Sequence, residues 1–129
     1  MNPAEHLRKA DRALASARLL AQDGDHDGAC NRAYYAMFDA AHAALVAVGD
    51  QSDPRTTKTH RGLIAAFGQA LIQSGQFPAE FGRSLNRVER VRLLADYTGE
   101  ATDAQATQQA IEEATRFIEA IRNRFNIPE

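Results

Sequence analysis

Apolar residues recur along this chain at steps of three and four, the spacing that lays side chains along one face of a 3.6-residue helix. The most apolar stretch, residues 31–48, reads as a central helix whose buried face is Cys30, Tyr34, Met37, Phe38, Ala41, Leu45 and Val48. Before it, Leu7, Ala10, Leu14, Ala17 and Ala21 predict a first helix over residues 4–22. Thr59 is a suitable N-cap for a third helix over 60–74, with Leu63, Ile64, Phe67 and Leu71 inward. A fourth over 79–97 turns Phe81, Leu85, Val88, Val91 and Ala95 to the core. Thr102 with Gln105 reads as a capping box for a fifth, whose stripe is Ala110, Ala114, Phe117, Ile121 and Phe125. Turn-forming clusters at 23–28, 49–54, 75–78 and 98–101 separate these elements, and no alternating β-branched segment occurs. The expected fold class is all-α: one domain over residues 1–129, an antiparallel bundle of about five helices.

A second stripe on the central helix carries chemistry. Arg32, Tyr35, Asp39 and His42 follow steps of three, four and three, so four functional groups share one side. Charges on a helix usually face water or a neighbouring ion, but two adjacent tyrosine rings are large groups to leave idle in solvent. His60 begins the third helix, where the positive end of the dipole disfavours the imidazolium and keeps the ring neutral. Residues 49–58 form a long connection, a candidate functional loop. On the fourth helix Arg83, Arg87 and Arg90 form a basic stripe, to be weighed against ordinary solvated arginines. Arg92 and Asp96 lie one turn apart near its end, and Asp96 stands against the local dipole, a placement that calls for a partner or a task.

Charge and composition narrow the choices. The net charge is −2 and the isoelectric point about 6.1, so any nucleic-acid binding has to come from a local patch. Cys30 is the single cysteine; it allows no internal disulfide and no thiolate metal site, and a reduced, cytoplasmic setting is expected. The aspartates of 23–27 lack the bidentate glutamate that a calcium loop needs at its twelfth position. No metal or cofactor is expected. No run approaches the roughly 18 apolar residues of a membrane span, and no contact with a membrane is expected.

Three segments carry a resemblance: Asn31-Arg32-Ala33-Tyr34-Tyr35-Ala36-Met37-Phe38, Lys58-Thr59-His60, and Arg92-Leu93-Leu94-Ala95-Asp96-Tyr97. In this order and at these separations they resemble the HEPN superfamily, in its small prokaryotic branch with R-A-Y-Y-A and R-x-x-A-D-Y segments. The resemblance covers residues 5–125. It implies a helical bundle, usually a homodimer, often paired with a minimal nucleotidyltransferase in toxin and antitoxin systems. Many members of the superfamily are metal-independent endoribonucleases marked by an arginine followed after four to six residues by a histidine. Here no histidine follows Arg92 at that distance; the literal match, Arg55 to His60, sits at the other end of the bundle and is read as coincidence. The sequence therefore favours a dimeric HEPN-like module that binds a protein partner or RNA through Arg32, Tyr35, Asp96, Tyr97 and the Arg83, Arg87, Arg90 stripe. The alternative is a ribonuclease with a non-standard site built on His60 and Arg92. A third reading makes the same polar groups a buried network that only fixes the helices.

Overall fold

A computed structural model of the chain describes residues 1–98 and 102–129, with the side chains of 96–98 excepted. The described residues form six helices and no strand: α1 Pro3–Gln22, α2 His26–Ala47, α3 Pro54–Thr57, α4 His60–Phe67, α5 Ala79–Thr98 and α6 Ala104–Arg124. The first begins with proline at a position whose N–H needs no helical partner, and the Asn2 side chain accepts from the Glu5 N–H. The central helix starts earlier than the apolar pattern suggested, because Asp25 caps it through the Gly28 N–H at 2.9 Å.

Two elements differ from the pattern-based expectation. The loop over 49–58 contains the extra turn α3, started by Pro54 with Asp53 as its cap. The expected capping box gives way to a simple N-cap one residue later: Asp103, not Thr102, accepts from Ala106 N at 2.7 Å, and alanine at that position has no side chain to reciprocate. Thr102 instead donates its backbone N–H to Asp27 Oδ1 at 2.8 Å, which ties the entry of α6 to the start of α2. Downstream of α4 the helix continues as a π-helical turn over Gly68–Ile72, so the expected third helix is present with its last part underwound.

Partner pairs give the directions. Lys9 meets Asp39 and His6 meets His42, so α1 and α2 run antiparallel. Asp11 meets Arg122 and Arg18 meets Thr115, so α1 also opposes α6. Gln76 with Arg124 and Arg87 with Glu113 set α5 against α6 in the same sense. Opposed by a common neighbour, α2 and α6 run parallel.

Helix α2 packs against α1, α4, α5 and α6. Its alanines explain how: Ala29, Ala33, Ala36, Ala40, Ala41, Ala43 and Ala44 are all fully buried, and their small side chains admit neighbours on several sides. The apolar core divides into an aromatic layer of Phe67, Phe77, Phe81 and Phe117 and a second ring cluster around Tyr34, Tyr35, Phe38 and His60. The turn α3 lies hard against the start of α4: a Cβ on Gly62 would stand 1.9 Å from the Thr56 carbonyl oxygen. Only glycine permits that approach, and it fixes the segment that carries His60. No described helix is long and apolar enough to cross a membrane.

Candidate functional site

Three helices converge on His60. It occupies the first turn of α4, held there by the Thr59 cap, whose hydroxyl accepts from Gly62 N at 2.9 Å. From α2 come Tyr34, with its hydroxyl 2.8 Å from His60 Nδ1, and Tyr35, with its hydroxyl 3.4 Å from Nε2. From α5 come Glu89, which accepts from the Tyr34 hydroxyl at 3.0 Å, and Arg92. The Arg92 guanidinium carbon lies 5.0 Å from the Tyr34 ring centre and 6.0 Å from that of Tyr35, within cation–π range, in a side chain only 9% exposed.

These contacts assign the protons. A tyrosine has one hydroxyl hydrogen, and that of Tyr34 goes to Glu89, so the phenol oxygen accepts from His60 Nδ1–H. Nε2 is then the nitrogen with the lone pair, and its only described partner is the long contact to Tyr35. Burial first and the Arg92 charge second hold the His60 pKa below its ordinary value, while Glu89 pulls it upward. Burial and the Glu89 carboxylate push the Tyr34 phenol up, so it stays a neutral donor. The result is a neutral imidazole oriented by a Tyr34–Glu89 relay, with a guanidinium over the adjoining rings.

Tyr35 links this cluster to a cleft between α1 and α2. The cleft has a volume of about 500 Å³ and is lined by Lys9, Arg12, Ser16, Arg32, Tyr35, Phe38 and Asp39, with Ala13. The Arg32 guanidinium carbon lies over the Tyr35 ring, 5.1 Å from its centre. Asp39 is 7% exposed; its nearest cation is Lys9 Nζ at 3.9 Å, and it makes no hydrogen bond to a described residue. Burial raises its pKa against the pull of Lys9, His42, Arg32 and Arg12.

The remaining sequence candidates separate. His42 lies on the stripe but turns away from the cleft: its Nε2 donates to the Thr57 carbonyl at 2.9 Å, and its ring lies against His6 and Phe38. Of the basic stripe, Arg83 and Arg90 are exposed along a shallow groove with Asn86 and Arg87. Arg87 is committed elsewhere, because its guanidinium pairs with Glu113, which is 3% exposed and also accepts from Ser84 at 3.1 Å. No described contact joins this stripe to His60. The side chains of Asp96 and Tyr97 lie outside the described residues. Arg55 pairs with Asp53 on α3 and does not reach His60. Sequence reasoning missed Glu89, Lys9 and Arg12; Glu89 was reachable as the residue one turn before Arg92 on the same helix face. Among the described residues no group of three His, Cys, Asp or Glu side chains is placed to hold a metal ion.

Three depressed histidines make stability depend on pH. His6 is held at about 4, chiefly by burial and then by His42, and His42 and His60 are lowered as well. The unfolded chain takes up protons below about pH 6.5 while these rings, with lowered pKa values, lag behind in the fold, so their stabilisation is full above that value and falls as pH drops, for His6 until about 4. Asp39, raised in the fold, works in the opposite direction and offsets part of the loss. Denaturant midpoints at pH 7.5, 6 and 5 are expected to fall in that order; a constant midpoint would contradict the buried neutral state of the rings.

The profile of the HEPN domain family matches residues 4–124. A UPF0332 protein of Gloeobacter violaceus is 38% identical over 115 residues, 88% of this chain and 87% of its own length. A UPF0332 protein of Thermotoga maritima is 32% identical over 88% of this chain and 83% of its own length. A Methanocaldococcus jannaschii protein named "Putative toxin MJ0605" is 29% identical over 88% of this chain and 81% of its own length.

Proposed function

The chain belongs to the HEPN family, and from that premise we propose that it is a toxin-type module that binds single-stranded RNA across the His60 cluster and the α1–α2 cleft. One observation carries this reading: Lys9, Arg12 and Arg32 line one cleft with Tyr35, and Arg92 lies 6.0 Å from the centre of that ring, in a chain whose net charge is −2. The pull toward phosphate is thus local, as it must be in a slightly acidic protein. An open polar cleft beside the tyrosines favours a ligand over a closed structural network. The reading includes a homodimer and a minimal nucleotidyltransferase partner in the cytoplasm; Leu94, 55% exposed on the outer side of α5 with Arg90, supports a protein contact there.

Salt dependence of binding tests the proposal. With a labelled single-stranded RNA of mixed sequence, log K against log salt should slope downward by about 0.7 per phosphate neutralised. Arg12→Ala, an exposed change, should reduce that slope by about one such increment. Absence of binding at low salt, or binding indifferent to salt, would remove the phosphate reading.

A second reading, metal-independent cleavage of the bound RNA, is favoured by the proton assignment at His60. A ribose 2′-hydroxyl presented to Nε2 would lose its proton there as its oxygen bonds to the neighbouring phosphorus. The bond from phosphorus to the 5′ oxygen breaks, and the imidazolium returns the proton to that leaving oxygen. Arg92 and Arg32 are the groups available to offset the extra negative charge of the transition state.

A further inference from the structure

We propose that the α1–α2 cleft selects a guanine base next to the phosphate held at the His60 cluster. The proposal rests on the RNA reading above and names what that RNA must present. Two features of the cleft have no use in holding phosphate alone. One is Asp39: a carboxylate repels phosphate, yet this one is buried to 7% exposure at the cleft wall among Lys9, Arg12 and Arg32. The other is the pair of rings, Tyr35 and Phe38, that complete the lining.

The Asp39 carboxylate stands at the wall of an open cleft with its nearest cation 3.9 Å away and no described hydrogen bond, so both oxygens keep acceptor capacity for a ligand. A ligand that brings two parallel N–H groups would satisfy both oxygens. Guanine does this: N1–H and the N2 amine lie side by side on its Watson–Crick edge. Adenine and cytosine present one amine beside a ring nitrogen whose lone pair opposes a carboxylate, and uracil presents one N–H between two carbonyls. The Tyr35 and Phe38 side chains supply apolar contact for the base beside the Arg32 guanidinium, and the cations of the lining receive the phosphates on either side. Base pairing would occupy the edge that Asp39 reads, so the guanine has to be unpaired. A volume of about 500 Å³ falls within the range of ligand sites that hold a nucleotide-sized group.

The test is fluorescence anisotropy of the full chain with labelled nine-residue uridine tracts carrying guanosine, inosine, adenosine or uridine at the centre. Guanosine is expected to bind about 5–150-fold more tightly than uridine, the range of one bidentate base contact. Inosine, which keeps N1–H and lacks the N2 amine, should fall between them. Asp39→Asn should bring the ratio of guanosine to uridine affinity close to one. Equal affinity for all four tracts would overturn base selection and leave RNA binding standing, whereas no binding to any tract would overturn both. A guanosine preference that survives in Asp39→Asn would also overturn the assignment. Should that variant fail to fold, the inosine comparison on the unaltered protein decides, with inosine equal to guanosine as the contrary result.

Discussion

On the cleavage reading, replacing His60 with alanine is expected to lower RNA cleavage by about 10²–10⁴-fold, the usual worth of a general acid–base group. The expectation follows from three contacts. Tyr34, oriented by Glu89, fixes Nδ1 as the protonated nitrogen, and Nε2 is left to take a proton. Burial and Arg92 hold the ring below its ordinary pKa, so at pH 7 the base form predominates. The assay uses purified protein in excess chelator, with wild type, His60→Ala, Arg92→Ala and Glu89→Gln side by side. Glu89→Gln acts through Tyr34 and not on the substrate, so its signature is a shifted pH profile, with the acid limb displaced from its wild-type position. Circular dichroism of Arg92→Ala guards against simple loss of fold, since that guanidinium is buried over two rings. Equal, background-level cleavage in all four proteins would leave His60 as a packed, hydrogen-bonded residue and the site as a binding surface.

Periodicity located the long helices because each buries a continuous apolar face, and a face of that kind is written in the spacing itself. The ends were less legible. Both Thr102 and Asp103 are good caps, and what selects Asp103 is a tertiary contact, the Thr102 N–H to Asp27, that no local pattern contains. The turn α3 escaped for a similar reason: four residues cannot show a period, and its place is set by the missing Cβ of Gly62.

The site was half legible. Arg32, Tyr35, His60 and Arg92 were named from type and position, but their meeting depends on how α2, α4 and α5 pack. Tyr34 was assigned to the core by its spacing, and it is fully buried, yet its hydroxyl reaches His60 and Glu89. An aromatic ring can satisfy an apolar face while its polar tip serves a site. The α1 side of the cleft was invisible, because Lys9 and Arg12 look like any solvated residues until α2 sets Arg32 and Asp39 opposite them.

The basic stripe on α5 divides under mutation. Arg87→Ala is expected to destabilise the fold by about 3 kcal/mol, near the low end for removing one partner of a buried ion pair. Glu113 is 3% exposed, and among the described residues its carboxylate keeps, without Arg87, only the Ser84 hydroxyl at 3.1 Å. The half-exposed Arg87 side chain places the expectation at the low end, since water can enter where the guanidinium stood. Arg83→Ala and Arg90→Ala change exposed residues and are expected to stay within about 0.5 kcal/mol. Urea unfolding of the three variants at pH 7 reads the difference directly. The double variant Arg87→Ala with Glu113→Gln removes the orphaned charge and should recover part of the loss. If Arg87→Ala unfolds like Arg83→Ala, the pair is a surface contact, and Arg87 returns to the basic stripe as a candidate for partner binding.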